Sequence, residues 1–233
     1  MRFQTPKENK KNIIVFFLLL LYVTGMIPIV AVPFSVVIFK MAIIPVVILQ
    51  IWAFLYIIAP YKFEKSYYLF FGVYGVVNTY VYFLAIQKLL YLHLGAEGKG
   101  PFIIGFILFI GLLVTMNWLN VKALYTGTYH KMQQMKSINV HYLSFAGIGY
   151  VIAQLVLTFV YSEYAKMMFF ILLLSLLSLF TAYFTVCIHR YYYISKNMVR
   201  VKQVYPSFGL PLNERQDETK KVIERSGIAR RKK

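Results

Sequence analysis

The sequence predicts an all-α fold: a polytopic transmembrane helical bundle of about six spans, with its N-terminus and C-terminus in the cytoplasm. Three observations lead there. Hydrophobic residues make up 60% of the 233-residue chain and charged ones only 14%, whereas a soluble domain uses about 25% charge. The apolar residues gather into stretches near the roughly 20 residues that a helix needs to cross a bilayer. The charge lies between and beyond those stretches, as it does in a chain solvated by lipid over much of its length.

The chain opens with a basic N-terminus, residues 1–12, carrying Arg2, Lys7, Lys10 and Lys11. The apolar run behind it is too long for a signal peptide and has no small-x-small cleavage site, so it reads as a retained first span. Residues 13–59 are almost continuously apolar and hold enough length for two spans, 13–30 and 41–59. Pro28 and Pro33 are expected to end the first, because proline lacks a donor and clashes with the preceding turn. A re-entrant hairpin is the alternative for this pair. Spans three to six are predicted at residues 67–86, 102–119, 142–161 and 167–188, giving a membrane domain over 13–188. Pro60 and Pro101 punctuate a span end and a span start. Tyr61, Tyr67, Tyr68, Tyr91, Tyr142, Tyr161, Tyr164 and Tyr191 to Tyr193 cluster at span edges, where ring and hydroxyl suit the headgroup region.

Orientation follows from the basic residues. With six spans, Lys40, Lys88, Lys99 and Lys166 fall on one side and the other 21 of the 25 Lys and Arg on the opposite side. The positive-inside rule makes the rich side cytoplasmic. This distribution also accounts for the net charge of +17 without nucleic acid, for which no binding fold is visible.

The predicted spans contain no Asp, Glu, Lys, Arg or His, the groups that proton relays and ion-coupled transporters place in the bilayer. What remains is neutral: Gln50, Asn78, Thr79, Thr115, Asn117 and Gln154, with Ser175, Ser178, Thr181 and Thr185 on one face of the last span. These residues either line an intramembrane polar path or pack the bundle through interhelical hydrogen bonds. Gly72, Gly75, Gly149 and Ala153 suit close helix approach within the bundle.

No catalytic, cofactor or metal site is expected. The glycine-rich loop 95–100 lacks the spacing and the Ser or Thr of a phosphate loop. His93, His130, His141 and His189 stand apart from one another, and the one aspartate is Asp217 in the tail. Cys187 alone forms no internal disulfide and reads as a buried, inert thiol.

The tail, residues 189–233, is basic and partly without regular structure. Arg190, Lys196, Arg200 and Lys202 are interleaved with Tyr, Ile, Met and Val, a pattern for an amphipathic segment on anionic inner-leaflet lipid. Asn213 is expected to cap a short helix with Gln216 as its partner. Arg230, Arg231, Lys232 and Lys233 end the chain. The function expected is that of a non-enzymatic accessory or regulatory component of the cell membrane that binds another membrane or cytoplasmic protein. The alternative is a permease-type subunit working with a separate cytoplasmic ATPase, for which residues 124–137 are the candidate docking element. The richness in Ile, Lys, Tyr and Phe is compatible with a bacterium of low GC content, and the expected location is the bacterial cytoplasmic membrane.

Overall fold

The structure, a computed structural model, describes residues 5–128 and 162–215. These form helices α1 (Pro6–Phe16), α2 (Ile27–Val30), α3 (Val36–Ile58), α4 (Tyr67–Leu92), α5 (Gly100–Tyr125), α6 (Glu163–Ala182), α7 (Val186–Lys196) and α8 (Met198–Val204). A π-helical stretch, Phe17–Met26, joins α1 to α2, and a 3-10 turn, Tyr183–Thr185, joins α6 to α7. No strand occurs among the described residues. Five helical rods are long and apolar enough to cross a membrane: Pro6–Val30, Val36–Ile58, Tyr67–Leu92, Gly100–Tyr125 and Glu163–Lys196. The predicted span 142–161 lies outside the described residues.

The helix ends differ from the sequence expectation in one direction: the rods are longer. The first begins at Pro6, where Thr5 and Glu8 form a reciprocal cap. The Glu8 amide donates to Thr5 Oγ1 at 3.3 Å and the Thr5 amide to Glu8 Oε2 at 2.8 Å. Pro28 does not end this rod. The helix runs on through it to Val30. The second rod starts at Val36 rather than residue 41, with Ser35 as its N-cap, so Lys40 lies inside α3 and is exposed. At 25 and 23 residues, each of these two rods is long enough for one crossing. The third continues past residue 86 to Leu92, the fourth past 119 to Tyr125, and the last through His189 and Arg190 to Lys196.

α4 is the centre. Two thirds of its most apolar stretch is buried, against none of α5's. The first rod runs parallel to α4, since Tyr74 meets Phe16, Tyr82 meets Leu20 and Lys88 meets Pro28. α6 and α7 run antiparallel to α4, with Thr181 of α6 beside Thr79 and Ile188 of α7 beside Gly72. α5 is antiparallel to α4, and its rings Phe102, Phe106 and Phe109 surround Phe83. It is therefore parallel to α6 and α7, with Tyr125 beside Tyr193 at their shared end. α5 thus ends at one end of the bundle, while α6 begins at the other.

Two glycines set the approach of α4 to α6 and α7. A Cβ at Gly75 would lie 2.6 Å from the Thr181 carbonyl oxygen and 2.8 Å from Phe184 Cβ, and one at Gly72 would collide with Ile188. Around them, Phe16, Phe71 and Phe184 form a triad with centroids 4.8 to 5.3 Å apart, edge and tilted contacts that suit the ring quadrupole.

Candidate functional site

The polar side chains of α4 form a seam down the bundle axis. Tyr74 donates to the Phe16 carbonyl at 2.8 Å and Tyr82 to the Leu20 carbonyl at 2.9 Å. Thr24 Oγ1 donates to the same Leu20 carbonyl at 3.0 Å and lies 2.6 Å from the Tyr82 hydroxyl. These hydroxyls thus satisfy carbonyls along the wide π-helical turns of the first rod. Such turns often sit at functional positions, and Gly25 brings this one against α4, where a Cβ would lie 3.0 Å from Val81 and 3.6 Å from Asn78 Oδ1.

At the far end of the seam stands Lys88, which has no exposed surface. Its ammonium donates to the carbonyls of Pro28 (2.8 Å), Ile29 (2.9 Å) and Ala31. An ammonium has three donors, and all three are used. The last carbonyls of a helix lack internal partners and carry the negative end of its dipole. Lys88 caps them with a positive charge and locks the end of the first rod to α4. The expected bound of this span at residue 86 is thereby corrected: the rod takes in Lys88, as the longer rods also take in Lys40, Lys122, His189 and Arg190. The sequence boundary at residue 86 left Lys88 in a loop, whereas the carbonyl cap lets the helix carry it inside.

The other predicted intramembrane residues fall at separate places. Gln50 accepts from the Tyr22 hydroxyl at 2.6 Å, tying α3 to the first rod. Asn78 is fully buried on α4. Thr79 Oγ1 donates to the Gly75 carbonyl at 2.8 Å and lies 2.9 Å from Thr181 Oγ1. Thr181 also donates to the Ser178 carbonyl at 3.2 Å, and Ser175 to the Ile171 carbonyl at 2.8 Å. Thr185 accepts from Asn120 at 3.2 Å, and Asn117 Oδ1 lies 2.7 Å from His189 Nε2, so α5 is hydrogen-bonded to the turn and helix after α6. Gln154 lies outside the described residues, as do Arg230, Arg231, Lys232 and Lys233.

Two of the cavities between the helices reach the polar residues of this seam and of α6. One, of about 280 Å³, lies between α4, α5 and α6 and brings together Gln87, Ser175, Ser178 and Gly105. Gln87 is 3% exposed, and neither atom of its amide has a partner. It sits against Gly105, where any Cβ would strike its Nε2. The other, of about 420 Å³, has walls from the first rod and α6, with Thr24 and His93 as its polar residues.

A second polar centre lies at the end of the bundle that carries Pro6. Glu64, in the connection between α3 and α4, is 4% exposed. It accepts from the Gly209 amide at 2.7 Å and pairs with the Arg215 guanidinium. Arg215 also donates to the Leu210 carbonyl at 2.8 Å and lies over the Tyr61 ring at 5.3 Å. Phe208 is buried against the bundle, and Gly209 adopts φ +77°, a left-handed turn suited to glycine. The first part of the tail is therefore folded onto the bundle. Residues 212–215 are helical, so Asn213 lies within this turn and not at its cap. Of the predicted contact residues, Lys196, Arg200 and Lys202 are exposed and Arg190 is half-buried.

Sequence reasoning missed Lys88, Glu64, Arg215, Tyr74 and Tyr82 as partners. One signal was present for Glu64, the single acidic residue between Glu8 and Glu97, set in a basic loop. Tyr74 and Tyr82 stand in mid-span rather than at an edge, where a hydroxyl needs an acceptor. Among the described residues, no three or more His, Cys, Asp and Glu side chains gather. No protein family, curated protein or solved structure matches this chain.

Proposed function

We propose that this chain is a non-enzymatic multi-pass protein of the bacterial cytoplasmic membrane, acting as an accessory or regulatory component that binds another protein at its cytoplasmic end. The observation that carries this reading is the Glu64–Arg215 anchor. It fixes the start of the tail to the connection between α3 and α4. The basic residues Lys220, Lys221, Arg225 and Arg230 to Lys233 follow this anchor in the sequence. A buried ion pair in a loop is an expensive way to add stability, and it suits a device that sets direction.

The topology proposed has six spans with both ends inside. The parallel course of α5 and α6 supports it, because residues 126–162 must then join opposite ends of the bundle. The apolar stretch 142–161 has the length for one crossing at about 1.5 Å per residue. The basic residues at the Pro6 end supply the orientation.

Co-purification in mild detergent tests the reading. A stoichiometric partner retained by the full chain, and lost both on truncation after Arg215 and on Glu64→Gln, is the expected result. A partner indifferent to both changes contradicts it. The permease-type alternative draws on the cavity holding Gln87, Ser175 and Ser178. It predicts instead an ATPase held through residues 124–137.

A further inference from the structure

We infer that the cavity between the ends of α5 and α7 is a binding site for one anionic phospholipid, held through its phosphate by Arg190. The cavity has a volume of about 200 Å³ and is lined by Leu124, Tyr125, Arg190, Tyr193 and Ile194. It deepens the lipid contact expected for the basic tail by naming a site, and it rests on the chain lying in a bilayer.

Four observations converge on it. Arg190 is half-buried, and its Nε is shielded from solvent without a hydrogen-bond partner. A buried donor left unmatched is costly, so an acceptor at this place repays more than one at an exposed lysine. Of the acidic side chains described at this end, Glu64 is already paired with Arg215, Glu8 caps the first rod and Glu214 is exposed. Arg190 itself forms no ion pair among the described residues.

The walls select the rest of the ligand. Leu124 and Ile194 give an apolar floor, while Tyr125 and Tyr193 form a rim with ring centroids 6.3 Å apart. Tyrosine rings at a span end belong at headgroup depth, and the guanidinium fork fits two phosphate oxygens. Lys122 adds a second cation one turn from Tyr125, over the Trp118 ring at 5.1 Å. A headgroup phosphate in reach of Arg190, with acyl chains running along α5 and α7, uses the guanidinium, the apolar floor and the tyrosine rim. A free phosphate leaves the floor unused.

Trp118 supplies the probe, since it lies on α5 two turns before Tyr125. The experiment uses the full chain in detergent micelles with Trp52→Phe, so that Trp118 is the remaining tryptophan. Its emission is titrated with brominated phosphatidylglycerol and with brominated phosphatidylcholine. Half-maximal quenching is expected at a roughly fivefold lower mole fraction of the anionic lipid, the effect of about one basic side chain at a membrane surface. Arg190→Gln is expected to abolish the preference. Arg190→Lys, which keeps the charge without the fork, is expected to reduce it and serves as the test should the glutamine variant fail to stay monodisperse. Arg200→Gln is expected to leave it intact. Equal quenching by the two lipids overturns the proposal. So does a preference that survives Arg190→Gln or is unchanged by Arg190→Lys, or one that falls equally with Arg200→Gln, because general surface charge then suffices. Displacement by millimolar inorganic phosphate overturns the lipid as the source.

Discussion

The Lys88 ammonium lies 2.9 Å from the Ile29 carbonyl oxygen, across 59 residues of chain, with no part of the side chain exposed. The contact joins the end of the first rod to the central helix. It also places a full charge where hydropathy alone puts none. The charge is tolerated because the orphan carbonyls of a helix end need a donor as much as the ammonium needs acceptors. Replacing Lys88 by Met keeps the length and removes the donor. The loss expected is about 2 kcal/mol, near the cost of buried carbonyls left unpaired, read as a lower midpoint of denaturant unfolding in detergent. A variant as stable as the parent would mean that the cap contributes nothing.

Gly75→Val tests the close approach of α4 and α6. A Cβ there lies 2.6 Å from a backbone oxygen, which cannot swing aside as a side chain can. Overpacking of this kind costs about 1–3 kcal/mol, and the variant is expected to unfold earlier on heating and to accumulate poorly. Gly98→Ala makes the control for space, since nothing lies within 4 Å of Gly98, although its φ of +74° adds local strain.

The seam between Thr79 and Thr181 should be worth little by itself. Both hydroxyls also bond a carbonyl of their own helix, and interhelical hydrogen bonds in membranes average about 0.6 kcal/mol. Thr79→Val is expected to lower stability by no more than about 1 kcal/mol and to leave any activity of the chain in place. A loss of function at normal abundance would favour a polar path over packing.

The tail anchor gives a larger effect. Glu64→Gln leaves the Arg215 guanidinium without its carboxylate in a place where its side chain is 15% exposed. Breaking one side of a buried pair costs about 3–5 kcal/mol, enough to release the first part of the tail from the bundle. Limited trypsin digestion is expected to cut at Lys202 and Arg215 several times faster than in the parent. The double variant Glu64→Gln, Arg215→Met is expected to cost less than the sum of the single changes.

These contacts show what a single sequence carries and what it lacks. The five described rods were legible because each is a long apolar run, and hydropathy reads that directly. Their ends were not legible at Lys88, Lys40 and Arg190, because a window stops at the first charge. Whether a helix continues depends on partners such as Pro28 and Ile29, which are close only after folding. Glu64 and Arg215, 151 positions apart, posed the same difficulty. The neutral polar residues were legible as a set but not as pairs. Gln50 joins Tyr22 and Thr79 joins Thr181, while Gln87, which was not in that set, lines one cavity with Ser175 and Ser178, and no periodicity in one strand of sequence encodes which helix comes next to which.

The bundle and its orientation rest most directly on which compartment each connection reaches. With Cys187→Ser as background, single cysteines at Lys62 and at Glu97 mark opposite ends of α4, and intact cells are treated with a membrane-impermeant maleimide. Labelling at position 97 in intact cells, and at position 62 only after the membrane is opened, is the result predicted. Labelling of both positions from the same side would contradict it.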